Sequence, residues 1–166
     1  MQREVIQLIV DNTSGVLSRI SGLFSRRGYN IESITAGVTA DPKYTRITIV
    51  TNGEADILDQ IEKQVAKLID VRDIKVLAPE RSVYRELLLV KVKAEPEMRQ
   101  GVISISDIFR ANIVDVGPHS LIIELTGNTD KIDAFLRLLE GYEILELART
   151  GIAGLGRGIE NVTYLP

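Results

Sequence analysis

The same order of hydrophobic patterns occurs twice along the 166-residue chain. In the first half, apolar or alternating runs typical of strands begin near Val5, Tyr29, Thr45 and Val71. Between them lie two stretches with apolar residues at the spacing of one helix face: Val16, Leu17, Ile20, Leu23 and Phe24, then Ile57, Leu58, Ile61, Val65, Leu68 and Ile69. The first half is therefore predicted to fold in the order βαββαβ.

The second half repeats this order after a short polar link that contains Pro79. Arg85-Glu86-Leu87 echoes Arg3-Glu4-Val5, and Asn112-Ile113 echoes Asn30-Ile31. A period of about 80 residues is too long for a solenoid unit, so we predict two tandem domains. The predicted fold is α+β, with two ferredoxin-like βαββαβ units whose antiparallel sheets carry their helices on one face. The predicted boundaries are residues 1–78, a linker at 79–82, and residues 83–166.

The stretch Asp11–Leu17 connects the first strand to the first helix. Thr13 or Ser14 is the predicted N-cap, because a hydroxyl oxygen can accept a backbone N–H of the first turn. Gly15 has no Cβ, so a ligand can approach the backbone closely there. A helix N-terminus presents free N–H groups and partial positive charge, which suit a carboxylate or phosphate. An ordinary capped helix explains the same residues.

The second half has a different loop at this place, Ala94-Glu95-Pro96-Glu97. Two glutamates that flank a proline make a poor anion site. We therefore expect the two halves to have different roles.

Composition excludes several functional classes. The net charge of −3 shows no basic footprint for nucleic acid, and without cysteine there is no thiol chemistry or disulfide. A single histidine makes a zinc site improbable. We expect a cytoplasmic protein without a membrane span or signal peptide.

The remaining candidates for chemistry are weak. Four glycines between residues 151 and 158 faintly resemble a phosphate loop, but no helical pattern or Lys-Ser/Thr pair follows them, so we predict a mobile tail. His119 follows a proline in a predicted turn and is expected to be solvated. No catalytic constellation and no metal-ligand set is predicted.

Two runs, Asp11–Arg19 and Leu23–Ser33, closely resemble an ACT domain. More narrowly, they resemble the regulatory small subunit of acetohydroxyacid synthase, also called acetolactate synthase. The second half is similar to that family at Arg85-Glu86-Leu87 and at Ala148-Arg149-Thr150-Gly151. The resemblance covers nearly the whole chain.

This resemblance implies a subunit without catalytic activity or cofactors of its own. It implies activation of a separate large catalytic subunit, which carries thiamine diphosphate, magnesium and FAD. It also implies feedback inhibition by valine, or by leucine or isoleucine, in branched-chain amino acid biosynthesis. Asn12, Gly15 and Asn30 match the effector-site positions of the family.

The predicted strand order also suggests where the effector site lies, and this geometry can be tested. In a 4-1-3-2 sheet the strand that begins at Tyr29 is an edge, which another copy can extend. A two-fold homodimer through these edges brings the first loop of one copy to Asn30 of the other. Backbone N–H groups would bind the effector carboxylate, an asparagine amide oxygen its ammonium group, and apolar side chains its branched side chain. The predicted effector-binding residues are Asn12, Thr13, Ser14, Gly15, Val16, Leu17, Asn30 and Ile31.

Three alternatives fit the same pattern. The first is an amino-acid-sensing ACT regulator of a different enzyme, and the second is a purely structural dimer. The third is a small acylphosphatase-like hydrolase on the same βαββαβ plan, which needs an arginine in the first loop. The nearest arginine here, Arg19, lies inside the helical pattern instead.

Overall fold

A computed structural model of the protein describes residues 1–165. The chain forms two compact units. The first contains Met1–Val83 and the segment from Ile152 onward, and the second contains Tyr84–Gly151. No helix in the described part of the chain is long and apolar enough to cross a membrane.

The first unit contains one four-stranded antiparallel sheet in the order β2-β3-β1-β4. Its two helices cover one face, where apolar side chains from β1 and β3 form a core with those of the helices. The predicted βαββαβ order and the edge position of the second strand are confirmed. The elements are β1 (Gln2–Asp11), α1 (Val16–Arg26), β2 (Asn30–Val38), β3 (Tyr44–Gly53), α2 (Ala55–Ala66) and β4 (Val71–Val76).

Glycines mark both ends of α1. Gly15 occupies the N-cap position with φ of 84°, and Gly28 follows the helix with φ of 69°. Both values lie in the left-handed region that favours glycine. The N-cap prediction was wrong, since Gly15 is the N-cap residue and no side-chain oxygen accepts a hydrogen bond from the first turn of this helix. The turn needs a left-handed residue directly before the helix, and that requirement places Gly15 at the cap.

The second unit repeats the plan with the strand order β6-β7-β5-β8. A separate apolar core lies between its sheet and its two helices. Two tandem ferredoxin-like units of the α+β class are thus confirmed. The elements are β5 (Ser82–Lys93), α3 (Arg99–Ile108), β6 (Asn112–Val116), β7 (Ser120–Gly127), α4 (Thr129–Leu138) and β8 (Ile144–Arg149).

The glycine-rich tail is ordered, so the prediction of a mobile tail was wrong. A short strand, β9 (Ala153–Gly156), is followed by a backbone hydrogen bond of 2.7 Å from Arg157 N–H to the Arg81 carbonyl. Further on, the Asn161 carbonyl accepts a hydrogen bond from Lys75, and the Thr163 hydroxyl donates one to Asp73. These bonds attach the tail to β4 of the first unit.

Candidate functional site

The N-terminus of α1 offers unpaired backbone donors. Within residues 1–165, the N–H groups of Val16, Leu17 and Ser18 have no hydrogen-bond acceptor, whereas Arg19 N–H donates to the Gly15 carbonyl at 3.0 Å. The first turn carries no acidic side chain. Free N–H groups and the positive end of the helix dipole together favour an anion at this position.

Asn12 already makes three hydrogen bonds inside the chain. Its backbone N–H donates to the Lys43 carbonyl at 2.8 Å, and its side-chain Nδ2 donates to the Pro42 carbonyl at 2.9 Å. Its Oδ1 accepts from the Thr45 hydroxyl at 3.2 Å. Asn12 therefore attaches the loop to the β2–β3 turn. An amide oxygen has two lone pairs, so Oδ1 can still accept from a ligand ammonium group.

The predicted apolar side chains occupy three different environments. Val16 is only 4% exposed and packs in the core, so it presents its backbone and not its side chain. Leu17 is 48% exposed beside the free N–H groups. Ile31 is partly buried against the core. The Val16 side chain is therefore not accessible to a ligand, whereas Thr13 and Ser14 are exposed in the loop.

Arg19 also lies beside the N-terminus of α1, although its position inside the helical pattern gave it no role in the predicted site. Its Nη1 lies 2.9 Å from the position that a Cβ on Gly15 would occupy. Its Nε donates to Oδ2 of Asp70 at 2.6 Å, and this hydrogen bond raises the pKa of the guanidinium. The signal that could have found it is the spacing of four residues from Gly15, which places Arg19 over the first helical turn.

Asn30 lies at the opposite end of the sheet. It pairs with Asn52, which pairs with Arg3 at the start of β1, whereas Asn12 follows the end of that strand. Nine residues separate Arg3 from Asn12, so the two asparagines lie about 30 Å apart at the rise of a β-strand. One chain therefore cannot join Asn30 to the loop at residues 12–17.

The second unit also has unpaired backbone donors at a helix start, because no acceptor is described for the N–H groups of residues 99–101 at the N-terminus of α3. In place of the first loop, the Arg99 guanidinium donates to the carbonyls of Ala94, at 3.2 Å, and Gly117. The exposed His119 is not simply solvated, because its Nδ1 lies 2.8 Å from Oε2 of Glu95. This hydrogen bond lowers the pKa of the Glu95 carboxyl. As far as the structure describes the chain, no group of three or more His, Asp or Glu side chains could hold a metal.

Comparison with protein-family models gives two matches that together span most of the chain. Residues 6–73 match the AHAS small subunit-like ACT domain, and residues 85–158 match the small subunit of acetolactate synthase. Over 155 residues the chain is 48% identical to a probable acetolactate synthase small subunit of Methanothermobacter thermautotrophicus, covering 93% of this chain and 92% of that relative. The chain belongs to the acetolactate synthase small subunit family.

Two further members of the family agree with this assignment. The isozyme 3 small subunit of Escherichia coli is 45% identical over 157 residues, which are 94% of this chain and 96% of that protein. The crystal structure of the acetolactate synthase small subunit from Thermotoga maritima superposes with a TM-score of 0.88 at 37% identity, covering 96% of this chain and 99% of that one. The resemblance to the regulatory small subunit of acetolactate synthase is confirmed.

Proposed function

We propose that this small subunit activates the catalytic subunit of acetolactate synthase and makes it sensitive to valine, or to another branched-chain amino acid. Family membership supports the regulatory role. The observation that carries the effector proposal is the free helix N-terminus at Gly15 in a unit whose β2 is an open edge. We assign thiamine diphosphate, magnesium and FAD to the catalytic subunit. We expect the complex of the two subunits in the cytoplasm.

A homodimer through β2 explains how Asn30 can join the site. β2 runs from Asn30 to Val38, so a two-fold axis at Ile34 sets Asn30 of one copy opposite Val38 of the other. Val38 pairs with Thr45, whose hydroxyl donates to Asn12. Antiparallel pairing of the two edges thus brings each Asn30 beside the first loop of the other copy.

The shared site offers one partner to each part of an amino acid. The carboxylate accepts from the N–H groups of residues 16–18, and the ammonium group donates to the amide oxygen of Asn30 or Asn12. Leu17 of one copy and Ile31 of the other contact the branched side chain, at about 0.8 kcal/mol per buried CH₂. Thr13, Ser14 and Gly15 shape the loop around the ligand.

Regulation then follows from the position of the site between two copies. An effector changes activity only if it binds two arrangements of the interface with different affinity, and a site built from both copies senses that arrangement directly. We assign effector binding and dimerisation to residues 1–78, and contact with the catalytic subunit to residues 83–166, because the first loop of that half carries two glutamates, which disfavour an anion.

Two measurements on the full chain test this function. Calorimetry with each of the twenty amino acids should show binding of one or more branched-chain amino acids and no others. Addition of the chain to the catalytic subunit should raise acetolactate formation, and the chain alone should form none from pyruvate. No effect on the catalytic subunit, or binding of an unrelated amino acid only, would contradict the proposal.

A further inference from the structure

The end of the chain is held on β4 by polar contacts. We call residues 157–165 the strap. The Asn161 carbonyl of the strap accepts a hydrogen bond from Lys75, and the Thr163 hydroxyl donates one to Asp73. Both partners in β4 are side chains, so the strap adds no strand to the sheet. It is a separate segment that two side-chain hydrogen bonds attach to β4.

The strap lies on the face of the sheet that the helices do not cover. Ile74 packs against the core of the first unit. Because side chains alternate between the two faces of a strand, Asp73 and Lys75 point away from that core. In the described chain β4 is the last strand of its sheet and pairs with β1 alone. An edge strand has a ladder on one side only, so the strap supports β4 where the sheet does not.

The strap lacks the apolar burial that fixes the core elements. None of residues 157–164 is buried, and the apolar side chains of Ile159, Val162 and Tyr164 are exposed. Segments with few buried apolar contacts open locally at a small cost in free energy, while the core stays folded. The strap can therefore open and close on a sheet that remains intact.

A bulge in β4 connects the strap to the loop that follows β1. The register between the two strands shifts at Ile9 and Val10, and this shift leaves Arg72 as an extra, bulged residue. A bulge redirects a side chain. Here Arg72 donates two hydrogen bonds of 2.7 Å to the carboxylate of Asp11, the last residue of β1. Asp73, which holds the strap, directly follows the bulge.

We infer that the strap is a conformational device that controls the order of the loop at residues 12–15. In the closed state, the hydrogen bond from Thr163 fixes Asp73 and the bulge that sets Arg72 against Asp11. In the open state, the bulge loses this support, and the loop after β1 becomes more mobile. The loop is thus controlled from the other end of the chain. This coupling needs no ligand in the loop, so it goes beyond the proposed effector function.

Hydrogen exchange of the full chain, followed by NMR for single amides, tests the coupling. The reporters are the amides of Asp11 and Asn12, which donate to the backbone carbonyls of Asp70 and Lys43. Thr163→Val removes the hydroxyl and keeps the side-chain size. We expect both reporters to exchange about fivefold faster in this variant, which is the factor for one hydrogen bond of typical net strength.

A matched control lies in the strap itself. Tyr164 is 81% exposed, so Tyr164→Ser changes a side chain next to Thr163 without removing a contact to β4. We expect the two reporter amides to keep their wild-type exchange rates in this control. Lys75→Gln weakens the other contact of the strap and should accelerate exchange in the same direction as Thr163→Val.

Unchanged exchange in β3 and in the second unit shows that a variant is folded. Wild-type exchange of both reporter amides in a folded Thr163→Val chain would overturn the inference. Equal acceleration in Tyr164→Ser would overturn it too, as would faster exchange confined to the strap. If Thr163→Val loses structure in β3, Lys75→Gln gives the same comparison, and the same outcomes decide it.

Discussion

The loops after β1 and β5 occupy the same place in the two units, yet their residues make different contacts. After β1, Gly15 takes a left-handed conformation, and the first N–H groups of α1 stay unpaired. After β5, Arg99 donates to two backbone carbonyls, and Glu95 is bound to His119. A repeated fold therefore repeats its core and its strand order, while the two loops differ in the side chains that they place beside the following helix.

A second contrast lies where β3 and β7 end. In the first unit, the apolar Ile57 packs over Gly53, which pairs with the exposed Gln2. In the second unit, Lys131 packs over Gly127, which pairs with Glu86. Glu86 is only 5% exposed and is held by Arg149 and Thr129. At this end of the sheet, the second unit thus has a buried ion pair where the first unit has an apolar contact.

The largest expected effect comes from breaking that ion pair. Arg149→Ala leaves the buried Glu86 carboxylate without its cation, which should destabilise the second unit by about 3–5 kcal/mol. This destabilisation should be measured as a loss of hydrogen-exchange protection in residues 84–151. The matched control is Arg72→Ala in the first unit, which removes a more exposed bidentate pair with Asp11 and should cost much less, because solvent screens that pair. Equal losses of stability in the two variants would contradict the expected difference between the two ion pairs.

The next prediction concerns the anion site of the first unit. Gly15→Asp places a carboxylate beside Arg19 and the free N–H groups, where it competes with the effector carboxylate. Valine affinity should fall by about a hundredfold, or about 3 kcal/mol, in calorimetry. Gly28→Asp is the matched control, since Gly28 also has a left-handed φ and nothing within 4 Å of an added Cβ. It carries the same added charge and backbone strain, so it should lose stability and keep its valine affinity.

A smaller effect is expected at the other end of the sheet. Asn30→Ala removes one hydrogen bond to the ligand ammonium group and should cost about 1.5–3 kcal/mol of valine binding. A Gly15→Asp homodimer and an Asn30→Ala homodimer each contain two damaged sites. In a mixed dimer both changes fall in one site, and the other site is intact.

Mixing the two variants tests the site shared between copies. After subunits exchange, each heterodimer should regain one tight valine site, measured by calorimetry. Wild-type chains taken through the same exchange serve as the control. If the control chains bind valine tightly and the mixture of variants does not, Asn30 and the first loop do not meet across the interface.

The smallest expected effect is a change in the pKa of Glu95, which lies in the loop after β5. The hydrogen bond from His119 lowers the folded-state pKa of Glu95 below its usual 4.5. Its stabilising contribution is therefore complete above pH 4.5 and is lost as pH falls through the lowered pKa. His119→Asn should raise the pKa of Glu95 toward the usual value, as followed by carboxyl carbon chemical shifts. An unchanged Glu95 titration in this variant would show that the bond does not act in solution.

Pattern alone was enough for the order of elements and for the family. Apolar spacing along the chain gives strands, helices and their order, because each element must bury one side or stripe against the core. The edge position of β2 followed from the sheet order implied by that plan. The free helix end at Gly15 was also predicted, although its cap was assigned to Thr13 or Ser14.

The side-chain partners at the site could not be predicted in this way. Asn12 bonds to the turn at Pro42 and Thr45, some thirty residues further along the chain, and Arg19 bonds to Asp70 fifty-one residues away. Local spacing contains no information about such contacts. The apolar pattern did place Val16 on the core face of α1, and its side chain lies there.

The sequence by itself determined the doubled βαββαβ plan, the exposed edge and the presence of a helix N-terminus without acidic residues, since these follow from short-range periodicity and composition. Only the tertiary structure decided that the tail joins the first unit, that Asn12 is already bonded, and that the open nitrogens of Arg19 lie beside Gly15. The physical reason is that hydrogen bonds and ion pairs depend on distances between atoms far apart in the chain, which are fixed only when β1, β3 and β4 pair and α1 packs on them.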